Sequence, residues 1–174
     1  MRERLAVVLG LPPARVPLHS PPGAPPRLAE GCGWVSLSHA AAAVLIGWSA
    51  HPLGVDLESA DRQLDAASLM QRFFPVAEQE QLTSLPPEPL RAAVLRSWLA
   101  KEAAIKWRQR SLAQELLHWC FDHGRGELRH LTDGTVLRPQ EGCVARWRWA
   151  WVGSGGSGAQ SPGAAPLIWP FNDG

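Results

Sequence analysis

The short connections between the first strand-like segments limit the fold of this chain more than any other feature. Segments 34–38, 42–49 and 53–58 have the length and the apolar content of β-strands. Only three residues separate each segment from the next. A parallel pair of strands needs a crossover of about a dozen residues or more. We therefore predict antiparallel or edge connections between these strands.

After residue 65 the apolar period changes from that of strands to that of helices, with prolines 75, 86 and 87 as breaks. A first helix is predicted over 2–9, with Gly10 as its C-terminal cap. Later helices are predicted over 65–74, 77–85, 89–110 and 112–118, and later strands near 128–137 and 144–152. Strands, then helices, then strands again predict an α+β fold rather than an alternating one.

Charge and hydropathy exclude several classes of protein. Lysine and arginine total 17 against 16 aspartates and glutamates, and the pI is about 7.8, whereas nucleic-acid-binding domains usually exceed about 9. The longest apolar run, 40–48, has nine residues, far fewer than the roughly 20 that span a bilayer. The three cysteines form no close pair, so neither a disulfide framework nor a zinc site is expected. We expect a cytoplasmic protein whose partners include neither nucleic acid nor a membrane.

Two carboxylates share one face of the third predicted strand. In Gly54-Val55-Asp56-Leu57-Glu58, alternation along the strand places Asp56 and Glu58 on one face and Val55 and Leu57 on the other. Two neighbouring carboxylates repel each other unless a positive charge lies close to them. A divalent cation, an Arg or Lys side chain, or simple exposure to solvent would each account for the pair.

Glu102 lies in the apolar stripe of the long predicted helix, between Leu99 and Ile105 at about 100° per residue. A free carboxylate is costly there. An ion pair with Lys106, one turn later, is the simple alternative, but such pairs contribute only a few tenths of a kcal/mol on exposed faces. So small a contribution does not explain why Glu102 lies at a buried position. Three acids and a lysine predict Mg²⁺-assisted phosphoryl or phosphodiester chemistry.

Ser38 and His39 follow the first strand, where they could be structural hydrogen-bonding groups or phosphate contacts. They are not a nucleophile and its base, because adjacent strand residues point to opposite faces. The long helix carries a second feature, an excess of cations. They would form either a solvated face or a surface for an acidic protein partner. These residues are Arg91, Arg96, Lys101, Lys106, Arg108 and Arg110.

Three motifs together resemble the signature of the 4′-phosphopantetheinyl transferase superfamily. They are Gly54-Val55-Asp56-Leu57-Glu58, Arg72-Phe73-Phe74 with Glu78, and the segment WLAKEAAIK at 98–106. The family patterns are G-[IV]-D-[ILV]-E, F-F-x-x-x-E and W-x-x-K-E-[AS]-x-x-K. Segment 34–40 (WVSLSHA) is similar to the family's Ser-His strand and favours the longer, monomeric Sfp-like branch. The resemblance implies the family's α+β fold of two related halves.

The resemblance also implies domain bounds: a shortened N-terminal half over 1–52, a C-terminal half with the metal and catalytic motifs over 53–152, and a tail over 153–174. By resemblance, this branch usually carries a further strand and helix before the point matching Met1, so we expect the first half to be shortened. The Gly-, Ser- and Pro-rich tail is predicted to be flexible, with the alternative that its apolar segment 167–171 packs back onto the body.

The implied reaction transfers the 4′-phosphopantetheine arm of coenzyme A to a serine of an apo acyl or peptidyl carrier protein, as in fatty acid biosynthesis. Adenosine 3′,5′-bisphosphate leaves. By resemblance, Asp56, Glu58 and Glu102 would hold Mg²⁺, and Glu102 or a water would act as the base. Lys106 would contact the transferred phosphate, and Ser38 and His39 the nucleotide phosphates.

One departure from the family concerns coenzyme A binding. The family's Gly-Lys-Pro element reads Gly23-Ala24-Pro25, so a cation is missing, and Arg27 is the predicted substitute. The shortened start and Ala24 favour a different hypothesis, a truncated, non-catalytic carrier-protein-binding module. An unrelated Mg²⁺-dependent phosphodiesterase is a third hypothesis, which the near-neutral charge disfavours.

Overall fold

The computed structural model describes residues 1–153 and 167–170. Helix α1 (Arg2–Leu9) ends at Gly10, whose left-handed backbone (φ 63°) matches the predicted cap. The helices that follow are α2 (Ala66–Phe73), α3 (Val76–Leu82), α4 (Pro87–Trp107) and α5 (Leu112–Glu115). The first strands are β1 (Leu18–His19), β2 (Arg27–Leu28), β3 (Trp34–Ala40), β4 (Ala43–Ser49) and β5 (Leu53–Ser59).

Six further strands follow the helices: β6 (Trp119–Asp122), β7 (Glu127–His130), β8 (Val136–Leu137), β9 (Gln140–Val144), β10 (Trp147–Gly153) and β11 (Leu167–Pro170). Together with β3, β4 and β5 they form three antiparallel sheets of three strands each, in the orders β5-β10-β9, β11-β4-β3 and β6-β7-β8. Strands β1 and β2 form a separate small pair. None of the helices in this part of the chain is long and apolar enough to cross a membrane. The architecture confirms the α+β prediction.

Strand β3 forms the predicted antiparallel hairpin with β4, whereas β5 takes its backbone partner from β10. Serine side chains link β3 to β5 instead. The Val55 amide donates to Ser36 Oγ at 3.1 Å, and the Leu57 amide donates to Ser38 Oγ at 3.1 Å. Both serines are buried. Their hydroxyls therefore satisfy backbone donors of β5 that would otherwise be costly to bury.

Helix α4 packs against β5 at Gly54. A Cβ atom at this position would lie 1.9 Å from the Ala103 carbonyl oxygen and 2.4 Å from the Trp107 amide nitrogen. Only glycine allows two backbones to approach this closely. The glycine of the 54–58 segment therefore brings the helix that carries Glu102 alongside the strand that carries Asp56.

The main core lies between α4, β10 and the β6–β7 hairpin. Its buried members include Leu95, Leu99, Ile105, Trp119, Phe121, Leu128, Ala150 and Val152. A second buried cluster joins β4, β5 and the Trp face of β10, with Leu45, Val55, Leu57, Trp147 and Trp151. Strand β10 is thus covered on both faces along 150–152, which holds α4 and β5 in one framework.

Several predicted bounds were wrong for reasons of local geometry. Helix α4 begins at Pro87, since proline is tolerated in a first helical turn, and it stops before Gln109, whose φ is 54°. The strand predicted near 128–137 is divided into β7 and β8 by a turn at Gly134, with φ 73°. Strands β6 and β9 were missed because each is short and depends on a distant pairing partner.

The tail prediction has two outcomes. Residues 154–166 and 171–174 lie outside the described part of the chain, where flexibility stays a prediction. Residues 167–170 form β11, which pairs antiparallel with β4 from Leu167 opposite Ile46 to Pro170 opposite Ala43. This corresponds to the alternative in which the apolar segment packs back. The division into two halves at residue 52 also stays a prediction.

One cation of the basic face predicted for the long helix is buried, so the interpretation was wrong for Lys101. Lys101 is fully buried, and its Nζ lies 2.7 Å from Glu78 Oε2 and 3.7 Å from the centre of the Phe74 ring. The Phe121 amide donates to the same Glu78 oxygen at 2.9 Å. Arg91 and Arg96 of α4, and Arg108 just beyond its end, pair with exposed or half-buried acids, which are Glu88, Glu141 and Asp133. Lys106 pairs instead with the buried Asp56.

His123 provides a prediction about stability and pH. Its Nε2 lies 2.9 Å from Ser97 Oγ, and burial, followed by the charges of Arg96 and Lys101, lowers its pKa to about 4 from 6.5. Below pH 6.5 the unfolded state therefore binds a proton that the folded state does not, so stability falls as the pH decreases from 6.5 towards 4. We expect His123→Gln to reduce this loss, measured as urea midpoints at pH 7 and pH 5. The same change at exposed His51 is the control, and an unchanged pH dependence in His123→Gln would contradict the assignment.

Candidate active site

The acidic motifs meet at a cavity of about 260 Å³ between β3, β5 and α4. Strand β5 contributes its two acids, and α4 contributes three residues spaced four apart along one face. The polar residues that line the cavity are Ser38, His39, Asp56, Glu58, Arg62, Glu102 and Lys106, with Trp98 beside them. Apart from Arg27, every predicted site residue is thus at this cavity.

Asp56 is held at the centre of the site by two donors. Ser38 Oγ donates to Asp56 Oδ1 at 2.7 Å, and Lys106 Nζ lies 2.6 Å from the same oxygen. Ser38 itself is 5% exposed and accepts from the Leu57 amide. In this arrangement the Ser38 hydroxyl orients Asp56, and its contact with a nucleotide phosphate stays a prediction. His39, the next residue, is exposed at the rim of the cavity.

Glu102 has the most perturbed carboxylate of the site. Burial, followed by the negative charge of Asp56, raises its pKa to about 7, although Lys106 acts in the opposite direction. Lys106 Nζ lies 3.7 Å from Glu102 Oε2, farther than from Asp56. The position in the apolar stripe explains the burial, and the approach of α4 to β5 explains the repulsion. A carboxyl group with this pKa can exchange a proton near neutral pH.

Glu58 has a cationic partner that the sequence interpretation missed. Arg62 Nη1 lies 2.5 Å from Glu58 Oε2, and the Ser59 amide donates to Glu58 Oε1 at 2.9 Å. The four-residue spacing from Glu58 to Arg62 was visible in the sequence. It carried no signal, because a separation of four brings side chains together on a helix but not beyond the end of a strand.

The carboxylates suit a magnesium ion in their chemistry. No group of three His, Cys, Asp or Glu side chains lies close enough together to hold a metal within the residues that the structure describes. Asp56 and Glu58 are instead paired with Lys106 and Arg62. Carboxylate oxygens are nevertheless the donors that Mg²⁺ prefers, and a divalent cation would relieve the repulsion that raises the pKa of Glu102. The ligand set of Asp56, Glu58 and Glu102 stays a prediction.

Arg27 lies away from this site. It lines a separate groove of about 660 Å³ with Trp34, Trp48 and Gln109. Trp34 begins β3 opposite Ser49, and Trp48 of β4 lies opposite Val35, whereas Ser38 and His39 lie at the other end of β3. The predicted replacement of the family's missing lysine by Arg27 therefore has no support in the position of the side chain.

Known proteins share this region of the chain. Residues 52–152 match the family model of the 4′-phosphopantetheinyl transferase superfamily. The 4′-phosphopantetheinyl transferase HetI of Nostoc sp. is 33% identical over 111 residues, which cover 61% of this chain and 47% of HetI. The chain thus spans about half the length of the curated relative that it matches. The family match includes β5, α4 and every carboxylate of the cavity. The chain therefore belongs to the 4′-phosphopantetheinyl transferase superfamily.

Proposed function

We propose that this protein transfers the 4′-phosphopantetheine arm of coenzyme A to a serine of an apo acyl or peptidyl carrier protein, with Mg²⁺ and in the cytoplasm. Adenosine 3′,5′-bisphosphate is the leaving group, as for a holo-acyl-carrier-protein synthase. The observation that supports this proposal is the meeting of Asp56, Glu58, Glu102 and Lys106 at one cavity. These residues come from two separate motifs of the superfamily.

In the proposed reaction the hydroxyl oxygen of the carrier serine attacks the β-phosphate of coenzyme A, and Glu102 accepts the proton of that hydroxyl. Burial raises the pKa of Glu102 independently of its repulsion by Asp56, and a base works best when its pKa lies near the operating pH. Asp56, Glu58 and Glu102 would hold Mg²⁺, which when bound neutralises charge on the diphosphate. Ser38 keeps Asp56 in position by donating to Oδ1. Lys106 is 31% exposed at the cavity, where its ammonium group would contact the transferred phosphate.

A second candidate function is a non-catalytic module that binds carrier proteins. The observation that favours it is Ala24, which leaves the 23–25 turn without a cation for coenzyme A. Charge-assisted hydrogen bonds to phosphate often contribute about 1.5–3 kcal/mol. Under this alternative the chain would bind an apo carrier protein and fail to bind coenzyme A.

The direct test is intact-mass spectrometry of an apo acyl carrier protein incubated with this chain, coenzyme A and Mg²⁺. We expect the carrier protein to gain the mass of one phosphopantetheine arm, and we expect EDTA to abolish the gain. A carrier protein whose conserved acceptor serine is replaced by alanine is the control and should stay unmodified. Carrier-protein binding with no mass gain, from a chain that circular dichroism shows to be folded, would contradict the transferase proposal and support the binding module.

A further inference from the structure

We propose that Arg62 binds the diphosphate of coenzyme A and supplies the cation that Ala24 does not. This inference rests on the proposed transferase function. Arg62 and Lys106 are the lysine and arginine side chains that line the cavity among the residues the structure describes. None of the motifs that identify the superfamily includes position 62, so the proposal depends on where the fold places this side chain.

The guanidinium group of Arg62 has more N–H donors than its contact with Glu58 uses. Lys106 lies between two carboxylates, 2.6 Å from Asp56 and 3.7 Å from Glu102, whereas Arg62 contacts Glu58 through Nη1 alone within the described part of the chain. A guanidinium has five N–H donors in a planar fork that matches the geometry of phosphate oxygens. The Arg62 side chain is also 42% exposed. It can therefore bind a phosphate group while it keeps its contact with Glu58.

The turn that carries Arg62 is anchored on two sides. The Ala60 amide donates to the Arg146 carbonyl beside β10 at 2.7 Å, and the Ala60 carbonyl accepts from Arg91 of α4 at 2.7 Å. The Arg62 amide donates to the Ser59 carbonyl at 3.1 Å. These bonds place the turn at a defined position between the sheet and the helix. The side chain is thus directed to the cavity by the fold rather than by a loose loop.

The charge balance of the cavity favours a second protein cation beside Lys106 for an anionic ligand, even with Mg²⁺ bound. Asp56, Glu58 and Glu102 face Lys106 and Arg62, so a diphosphate would add negative charge to a site already rich in carboxylates. Arg62 adjoins Glu58, one of the acids proposed to hold the metal. Its guanidinium is therefore near the position of the reacting diphosphate. This proximity favours the diphosphate over the 3′-phosphate as its ligand.

Calorimetric binding of coenzyme A and of 3′-dephospho-coenzyme A to the full chain tests the assignment, with Mg²⁺ and again with EDTA. We expect Arg62→Gln to weaken both ligands to the same extent, roughly ten- to hundredfold, because a charge-assisted contact to phosphate is lost. Arg62→Lys should be intermediate, since it keeps the charge and loses the fork. The control is Arg138→Gln, which breaks an exposed ion pair with Glu127 away from the cavity and should bind like the wild type.

Three results would overturn the assignment. If Arg62→Gln lost affinity for coenzyme A and not for 3′-dephospho-coenzyme A, Arg62 would lie at the 3′-phosphate. If the variant lost affinity with Mg²⁺ and not with EDTA, Arg62 would act through Glu58 and the metal. Wild-type affinity in Arg62→Gln would mean that it contacts no phosphate. If the wild-type chain itself bound neither ligand, the proposed function would fail, and this result is distinct because it appears before any substitution.

Discussion

Replacing Lys101 with methionine is expected to reduce the free energy of unfolding by about 3–5 kcal/mol, the usual cost of breaking a buried ion pair. Lys101 and Glu78 are each fully buried, and their charged atoms are 2.7 Å apart. Burial lowers the pKa of Lys101, and the Glu78 carboxylate opposes this effect. Without Lys101, Glu78 would be a buried acid with the Phe121 amide as its remaining donor.

Urea denaturation of the wild type, Lys101→Met and the double variant Glu78→Gln/Lys101→Met measures this effect. The double variant should recover at least half of the lost stability, because a neutral pair removes the unpaired charge while the Gln oxygen still accepts from Phe121. Equal destabilisation in the single and double variants would show that the loss comes from packing around the lysine chain. Lys101 immediately precedes Glu102, so the pair also fixes the rotation of α4 at the site.

Glu102→Gln is expected to reduce phosphopantetheine transfer by roughly 10²–10⁴-fold, the range for loss of a general base, without unfolding the protein. The amide has nearly the same shape as the carboxyl group and cannot accept a proton near neutral pH. Stability should be maintained or increased, because the ionised carboxylate is mostly buried beside Asp56. The measurements are the initial rate of carrier-protein mass gain and the thermal midpoint of the same preparation.

Glu88→Gln is the matched control for this experiment. Glu88 lies in the first turn of the same helix, is exposed and pairs with Arg91. The control should transfer at the wild-type rate. A fully active Glu102→Gln would exclude Glu102 as the base, whereas an inactive variant with a lowered thermal midpoint would show that the substitution damaged the fold.

Local sequence patterns were sufficient to predict much of the architecture. The end of α1 at Gly10 follows from the freedom of glycine to adopt a left-handed backbone. The β3–β4 hairpin follows from strand period and a short turn. These features depend on neighbours in the chain. The pairing of β5 with β10 joins residues about 90 to 100 positions apart, and no local period encodes such a contact.

The features of the site also divide into those that follow from local sequence and those that depend on tertiary packing. The residues of a strand alternate and those of a helix recur about every 3.6 positions, so Asp56 with Glu58 and the buried place of Glu102 were determined by the sequence alone. Only the tertiary structure decided how these groups are partnered. It directs Ser38 and Lys106 to Asp56, buries Lys101 against Glu78 and brings Arg62 to Glu58 while leaving Arg27 in another groove. The physical reason is that the charge of a side chain and the face of the strand or helix on which it lies are local properties. Its partner depends on which elements pack together.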